Sequence, residues 1–142
     1  MDPYQSSKKI ENICRLAPVI PVLVVENPDI AKPLAEALIS GGLPVLEVTL
    51  RTESALAVIS EMAKVPGGVV GAGTITKARD VKDAINAGAN FAVSPGSTDN
   101  ILEACEQKNL PILPGAATSS EIMRLFDPAS YTHLTLPTIL LV

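Results

Sequence analysis

Short runs rich in valine and isoleucine alternate along the chain with amphipathic stretches of helical length, and no two apolar runs are joined by a hairpin turn. An opening segment, residues 7–16, sets Ile10, Ile13 and Cys14 at helical spacing, with Ala17 just beyond, behind a serine cap. The first strand is expected over 19–25. Asn27 and Asp29 then offer capping oxygens to a helix that runs through Ala35, Leu38 and Ile39 and stops at Gly41-Gly42. The pattern repeats: strand 44–50 leads to helix 52–64 and a stop at Gly67-Gly68, and strand 69–74 leads to helix 78–87 and a stop at Gly88. Strand 91–94 leads to helix 98–107, and strand 111–113 to a helix beginning near Ser119. Alternation of this kind predicts βαβ units on a parallel sheet. With a pitch of about 20–26 residues, it fits a (β/α)8 barrel with short loops, an α/β fold of which about five units are present after an N-terminal helix. An open doubly wound sheet is the main competitor, but the first strand-to-helix loop, VVENPD, lacks the glycine-rich GxGxxG fingerprint.

Strands buried on both faces read as continuous apolar runs, and the second strand is the exception. In PVLEVTLRT a period of two puts Val45, Glu47, Thr49 and Arg51 on one face and Leu46, Val48 and Leu50 on the other. The aliphatic face must lie under the helices, so the polar face looks into the barrel. Of fifteen Asp and Glu residues only Glu47 lies inside an apolar strand run, and of eleven Lys and Arg residues only Arg51 ends one. Active sites of parallel barrels are built at the C-terminal ends of the strands. A carboxylate buried there takes on a raised pKa and can move protons near neutrality, while a guanidinium at the mouth can hold a carboxylate or phosphate through two hydrogen bonds. A buried structural ion pair is the plain alternative. The strand ends also carry Gly71-Ala72-Gly73-Thr74, Ser94-Pro95-Gly96 and Pro114-Gly115-Ala116. Glycine there either lets a ligand approach the main chain or merely serves a turn, and Thr74 adds a hydroxyl.

Composition narrows the chemistry. The 142 residues are 47% apolar, but they include only two Phe, two Tyr and no Trp, which argues against base-stacking surfaces. Net charge is −4 and the basic residues are scattered, so no stripe exists to neutralise a nucleic-acid backbone. The longest apolar run, residues 17–25, is too short to cross a bilayer, and MDPYQSSKK has no signal core, so a cytoplasmic protein is expected. Cys14 and Cys105 lie far apart without metal-ligand spacing, which suggests neither a disulfide framework nor a metal site.

The segments PVIPVLVV, GGLPVLEVTLRTESAL, VVGAGTITKARDV, AGANFAVSPGSTDNILEA and LPILPGAATSSEIM together resemble the 2-keto-3-deoxy-6-phosphogluconate (KDPG) aldolase family, whose members often also cleave 4-hydroxy-2-oxoglutarate. The resemblance runs from about Ile13 to Arg124 in five ordered motifs. It implies a homotrimer of (β/α)8 barrels and a class I aldolase that uses no metal or cofactor. A strand-six lysine of that family forms a Schiff base with the substrate ketone, and the iminium draws electrons from the breaking carbon–carbon bond to release pyruvate and an aldehyde. On this resemblance Glu47 of LEVTLRT is the proton-transfer residue, Arg51 holds the pyruvate carboxylate, Thr74 of GAGT lies nearby, and Pro95 of SPG borders the site.

One part of the family pattern is missing. The Schiff-base lysine is expected about ten residues after Met123, at His133 or Leu134, and no lysine follows Lys108. Lys77, just past a strand end, is the only conceivable substitute, and a loop lacks the dry or cationic surroundings that activate an amine. The end, SYTHLTLPTILLV, resembles the translation of a transposase-type sequencing adapter, although THLTL also alternates as a strand would. Residues 1–127 are therefore expected to be the N-terminal part of an aldolase barrel and 128–142 a non-native tail. Two functions follow: aldol cleavage in a full-length parent, with this chain inactive as it stands, or a non-catalytic half-barrel that binds a small keto acid or serves as an interaction module.

Overall fold

A computed structural model describes residues 1–126 together with the backbone of Leu134–Thr135. Helix α1 (Pro3–Cys14) opens the chain, followed by β1 (Val22–Leu23), a 3-10 turn (Pro28–Ile30) and α2 (Ala31–Ser40). Next come β2 (Val45–Thr49), α3 (Ala55–Met62), β3 (Val69–Gly73), α4 (Ala78–Asn86), β4 (Phe91–Ser94) and α5 (Asp99–Lys108). β5 (Ile112–Ala116), α6 (Ser119–Phe126) and β6 (Leu134–Thr135) complete the described elements. All strand pairs are parallel and the order in the sheet is β1-β2-β3-β4-β5-β6, the order in the chain. A doubly wound sheet reverses its strand order at a switch point, and none occurs here. The sheet is an arc of a barrel.

Strand parity sorts the core into two layers, as the alternation in the second strand requires. Leu46, Val48, Val70, Ala72, Ala92 and Ile112 point outward, where they pack with Ala35, Ile59, Met62, Val81, Ala84 and Ile101 of the helices. Each valine, leucine, isoleucine or methionine side chain fully buried this way stabilises the fold by roughly 1.5–3 kcal/mol. Val45, Phe91 and Val93 point inward and meet Ile10 of α1, with Ile13 and Leu113 beside them. α1 is tied to the sheet by Ser6, whose buried hydroxyl accepts the Ile112 N–H at 3.3 Å.

Several boundaries differ from those expected, each for a local reason. α1 begins at Pro3 and not at 7, because the Asp2 carboxylate accepts the Gln5 N–H at 2.8 Å and proline stands at the first helical position. The first strand shrinks from 19–25 to two residues: Pro21 donates no hydrogen bond, and among the described residues the strand pairs only with β2. Asn27 caps as expected, but the 3-10 turn intervenes before α2 begins at Ala31. The fifth strand extends through Ala116, so Pro114-Gly115-Ala116 is strand and not loop. Gly115 and Ala116 pair with Leu134 and Thr135. Of segment 128–142 only those two residues are described, and His133 lies outside the described residues.

Candidate active site

Glu47 sits in the middle of β2 on the inward face, register partner of Val22 on β1 and Gly71 on β3. It forms one wall of a cavity of about 290 Å³ whose other walls include Ile13 and Cys14 of α1, Phe91 and Leu113. Burial pushes the Glu47 carboxyl above the usual carboxylate range, while the nearby positive charge of Arg51 pulls it back down. The first effect is the larger. A carboxyl whose pKa is raised in this way accepts and returns a proton more evenly than an exposed glutamate does.

Gly73 makes the space for that carboxyl. An ideal β-carbon at Gly73 would lie 2.8 Å from Glu47 Cδ and 2.9 Å from its Cγ, closer than real side chains come. The glycines of Gly71-Ala72-Gly73 stand inside the strand, not in a turn, and each makes room for a side chain of a neighbouring strand. Gly115 has a similar reason: a β-carbon there would meet the Pro95 carbonyl oxygen at 2.6 Å. Its absence lets the turn after β4 lie against β5.

The remaining expected residues line the C-terminal rim. Arg51 follows β2 by two residues, is exposed, and borders a shallow hollow with Glu26 and Glu53. It is in no ion pair among the described residues, so the structural ion pair does not form; its charge acts on Glu47 at a distance. Two hydroxyls brace the start of this loop, as Thr52 and Ser54 both donate to the Val25 carbonyl at 3.2 and 3.1 Å. Thr74 follows β3 with φ of 62°, a left-handed conformation that a β-branched residue adopts only under constraint. Pro95 is exposed at the end of β4.

Ser94, noted in the sequence only as part of a turn motif, supplies that constraint. Its buried hydroxyl donates to the Ile75 carbonyl at 2.7 Å and accepts the Gly96 N–H at 3.3 Å, joining the residue after Thr74 to the residue after Pro95. Lys77 is placed differently from all of these. It caps α4 and lines a groove between α4 and α5 with Thr98, Asn100 and Gln107, not the cavity that Glu47 lines.

The sequence model of a family described as "KDPG and KHG aldolase" matches residues 10–135. A 2-dehydro-3-deoxy-phosphogluconate aldolase of Pseudoalteromonas atlantica is 47% identical over 124 residues, covering 87% of this chain and 57% of that relative. The crystal structure of the Zymomonas mobilis KDPG aldolase with 3-phosphoglycerate superposes with a TM-score of 0.82 at 48% identity, covering 85% of this chain and 58% of that one. A Legionella pneumophila KDPG aldolase with pyruvate captured as a covalent carbinolamine gives 0.75 at 42% identity, over 79% and 55%. The chain thus spans somewhat more than half the length of the relatives it matches. It belongs to the KDPG and KHG aldolase family.

Proposed function

We propose that this chain carries the proton-transfer and carboxylate-binding parts of an aldolase site that cleaves KDPG to pyruvate and glyceraldehyde 3-phosphate, and 4-hydroxy-2-oxoglutarate to pyruvate and glyoxylate. The observation that carries the proposal is the Glu47 carboxyl, held in a largely apolar cavity beneath a rim that presents Arg51 and Thr74. Cleavage of the C3–C4 bond in such a substrate requires the C4 hydroxyl to lose a proton as the aldehyde forms. The electron pair of the broken bond passes towards a Schiff base at C2, and C3 later regains a proton. One carboxyl with a raised pKa can serve both transfers. Arg51 fits the substrate carboxylate as a planar two-pronged donor, the Thr74 hydroxyl adds a further hydrogen bond, and Pro95 borders the space above.

None of the described residues supplies the Schiff-base amine: no lysine of these 142 residues follows Lys108, and Lys77 faces the groove between α4 and α5. That favours a second reading for these 142 residues by themselves: binding of a small keto acid at Arg51 and Thr74 without turnover. The homotrimer and cytoplasmic location that the family resemblance implies belong to the same proposal, and light scattering on the purified chain tests the first.

Treatment with pyruvate and borohydride, followed by peptide mass analysis, tests the chemical assignment. No reduced pyruvate adduct is expected on the chain. An adduct on Lys77 would overturn the assignment of the lysine's surroundings.

A further inference from the structure

The two inward glycines of β3 leave two slots, one above the other, and each is filled from a different strand. A β-carbon at Gly71 would fall on the ring of Phe91, and one at Gly73 would fall on the carboxylate of Glu47. Glu47, Gly71 and Phe91 are register partners across β2, β3 and β4, so the two long side chains start from the same level of the sheet. They cannot both occupy the space over Gly71. The aromatic ring takes it, and the carboxylate lies one step further along β3, about 6.6 Å towards the C-terminal rim.

We infer that Phe91 is a positioning residue for Glu47: its ring fills the slot over Gly71 and so holds the carboxylate over Gly73, on the side of Arg51 and Thr74. This deepens the reading of Glu47 as the proton-transfer group and rests on it. Phe91 is buried to 1% exposure and has no polar atom, so its ring is also a dry wall of the cavity that Glu47 lines. The other groups facing the carboxylate leave few sources of charge. Among the described residues they are Arg51, two residues beyond the end of β2, and the Cys14 thiol from α1, itself pushed up by burial. β1, β3, β4 and β5 present only apolar side chains and glycine to it.

The test follows the Glu47 side-chain carbon resonance against pH in the full chain labelled with 13C-glutamate, with Glu47→Gln as the assignment control. Phe91→Leu opens part of the slot to the carboxylate and to water, and is expected to lower the proton affinity of Glu47 by about three- to tenfold. Ile112→Val, in the outer layer of the same sheet, should lower stability without moving the Glu47 titration. Should Phe91→Leu fail to fold, Phe91→Met keeps more of the volume and carries the same expectation. A Glu47 titration unchanged in the Phe91 variant, or shifted as far by Ile112→Val, would overturn the inference. The titration reads the carboxylate's surroundings whether or not it moves a proton, so failure of the proton-transfer reading, which undiminished turnover of a full-length parent carrying Glu47→Gln would show, leaves this result standing.

Discussion

The carboxylate of Glu47 occupies the place where a side chain on Gly73 would begin, with Cδ 2.8 Å from the ideal β-carbon position. Gly73→Ala must therefore move the glutamate. Gly73 has no positive φ, so the backbone tolerates alanine, and the cost comes from overpacking at about 1–3 kcal/mol. Urea unfolding measures that loss, and the Glu47 resonance should move with it. An unperturbed Glu47 signal would show that the space is not shared.

The raised pKa of Glu47 has a consequence for stability. Because the folded state binds this proton more tightly than the unfolded chain does, the contribution of Glu47 to stability is greatest below the unfolded value, about pH 4.3, and falls as pH rises to the folded value, after which it is level. Glu47→Gln removes that slope and should leave the variant more stable than the parent above the folded value. Unfolding midpoints across the pH range check this.

Glu121 gives the opposite sign. Its carboxylate accepts the N–H groups of Ala117 and Thr118 and the Thr118 hydroxyl at the start of α6, which holds its pKa below the ordinary value. Its contribution is present above the unfolded pKa and is lost as pH falls through the folded one. Glu121→Gln should reduce the acid sensitivity of α6, seen as a smaller loss of amide protection there on acidification.

Thr74 and Ser94 separate stability from function. Thr74→Gly relieves a left-handed conformation worth about 1–3 kcal/mol of strain but frees the unfolded chain by about 0.5–1 kcal/mol, so stability should hold or rise. Keto-acid binding should fall, since the hydroxyl is gone. Ser94→Ala leaves the buried Ile75 carbonyl without its hydroxyl donor and should cost about 1–3 kcal/mol in urea unfolding.

How much of this was legible in the sequence depends on whether the signal is a period or a meeting between strands. The period of two in LEVTLRT placed Glu47 on the inward face and Leu46 and Val48 under the helices, and both placements hold. Alternation of strands and helices likewise gave the parallel sheet. The short β1 is harder to see, because the valines of 19–25 favour a strand while Pro21 and, among the described residues, a single paired edge cut it down. Gly71 and Gly73 read in the sequence as openings for a ligand or a turn; they are strand residues that make room for Phe91 and Glu47, which only register across three strands brings to them. The spacing of two between those glycines, equal to the period of the inward face, was the one clue available. Ser94 gave no such clue, since its partners Ile75 and Gly96 are a matter of rim geometry.

The claim at the centre of this account is that the rim over Glu47 binds a small keto acid through Arg51 and Thr74. Titration of the 15N-labelled chain with pyruvate, compared with Arg51→Gln, tests it most directly. Saturable shifts at the amides of Arg51 and Thr74, lost in Arg51→Gln while the rest of the spectrum is unchanged, are the predicted result. Pyruvate binding of equal strength in Arg51→Gln, or shifts confined to the groove around Lys77, would contradict it.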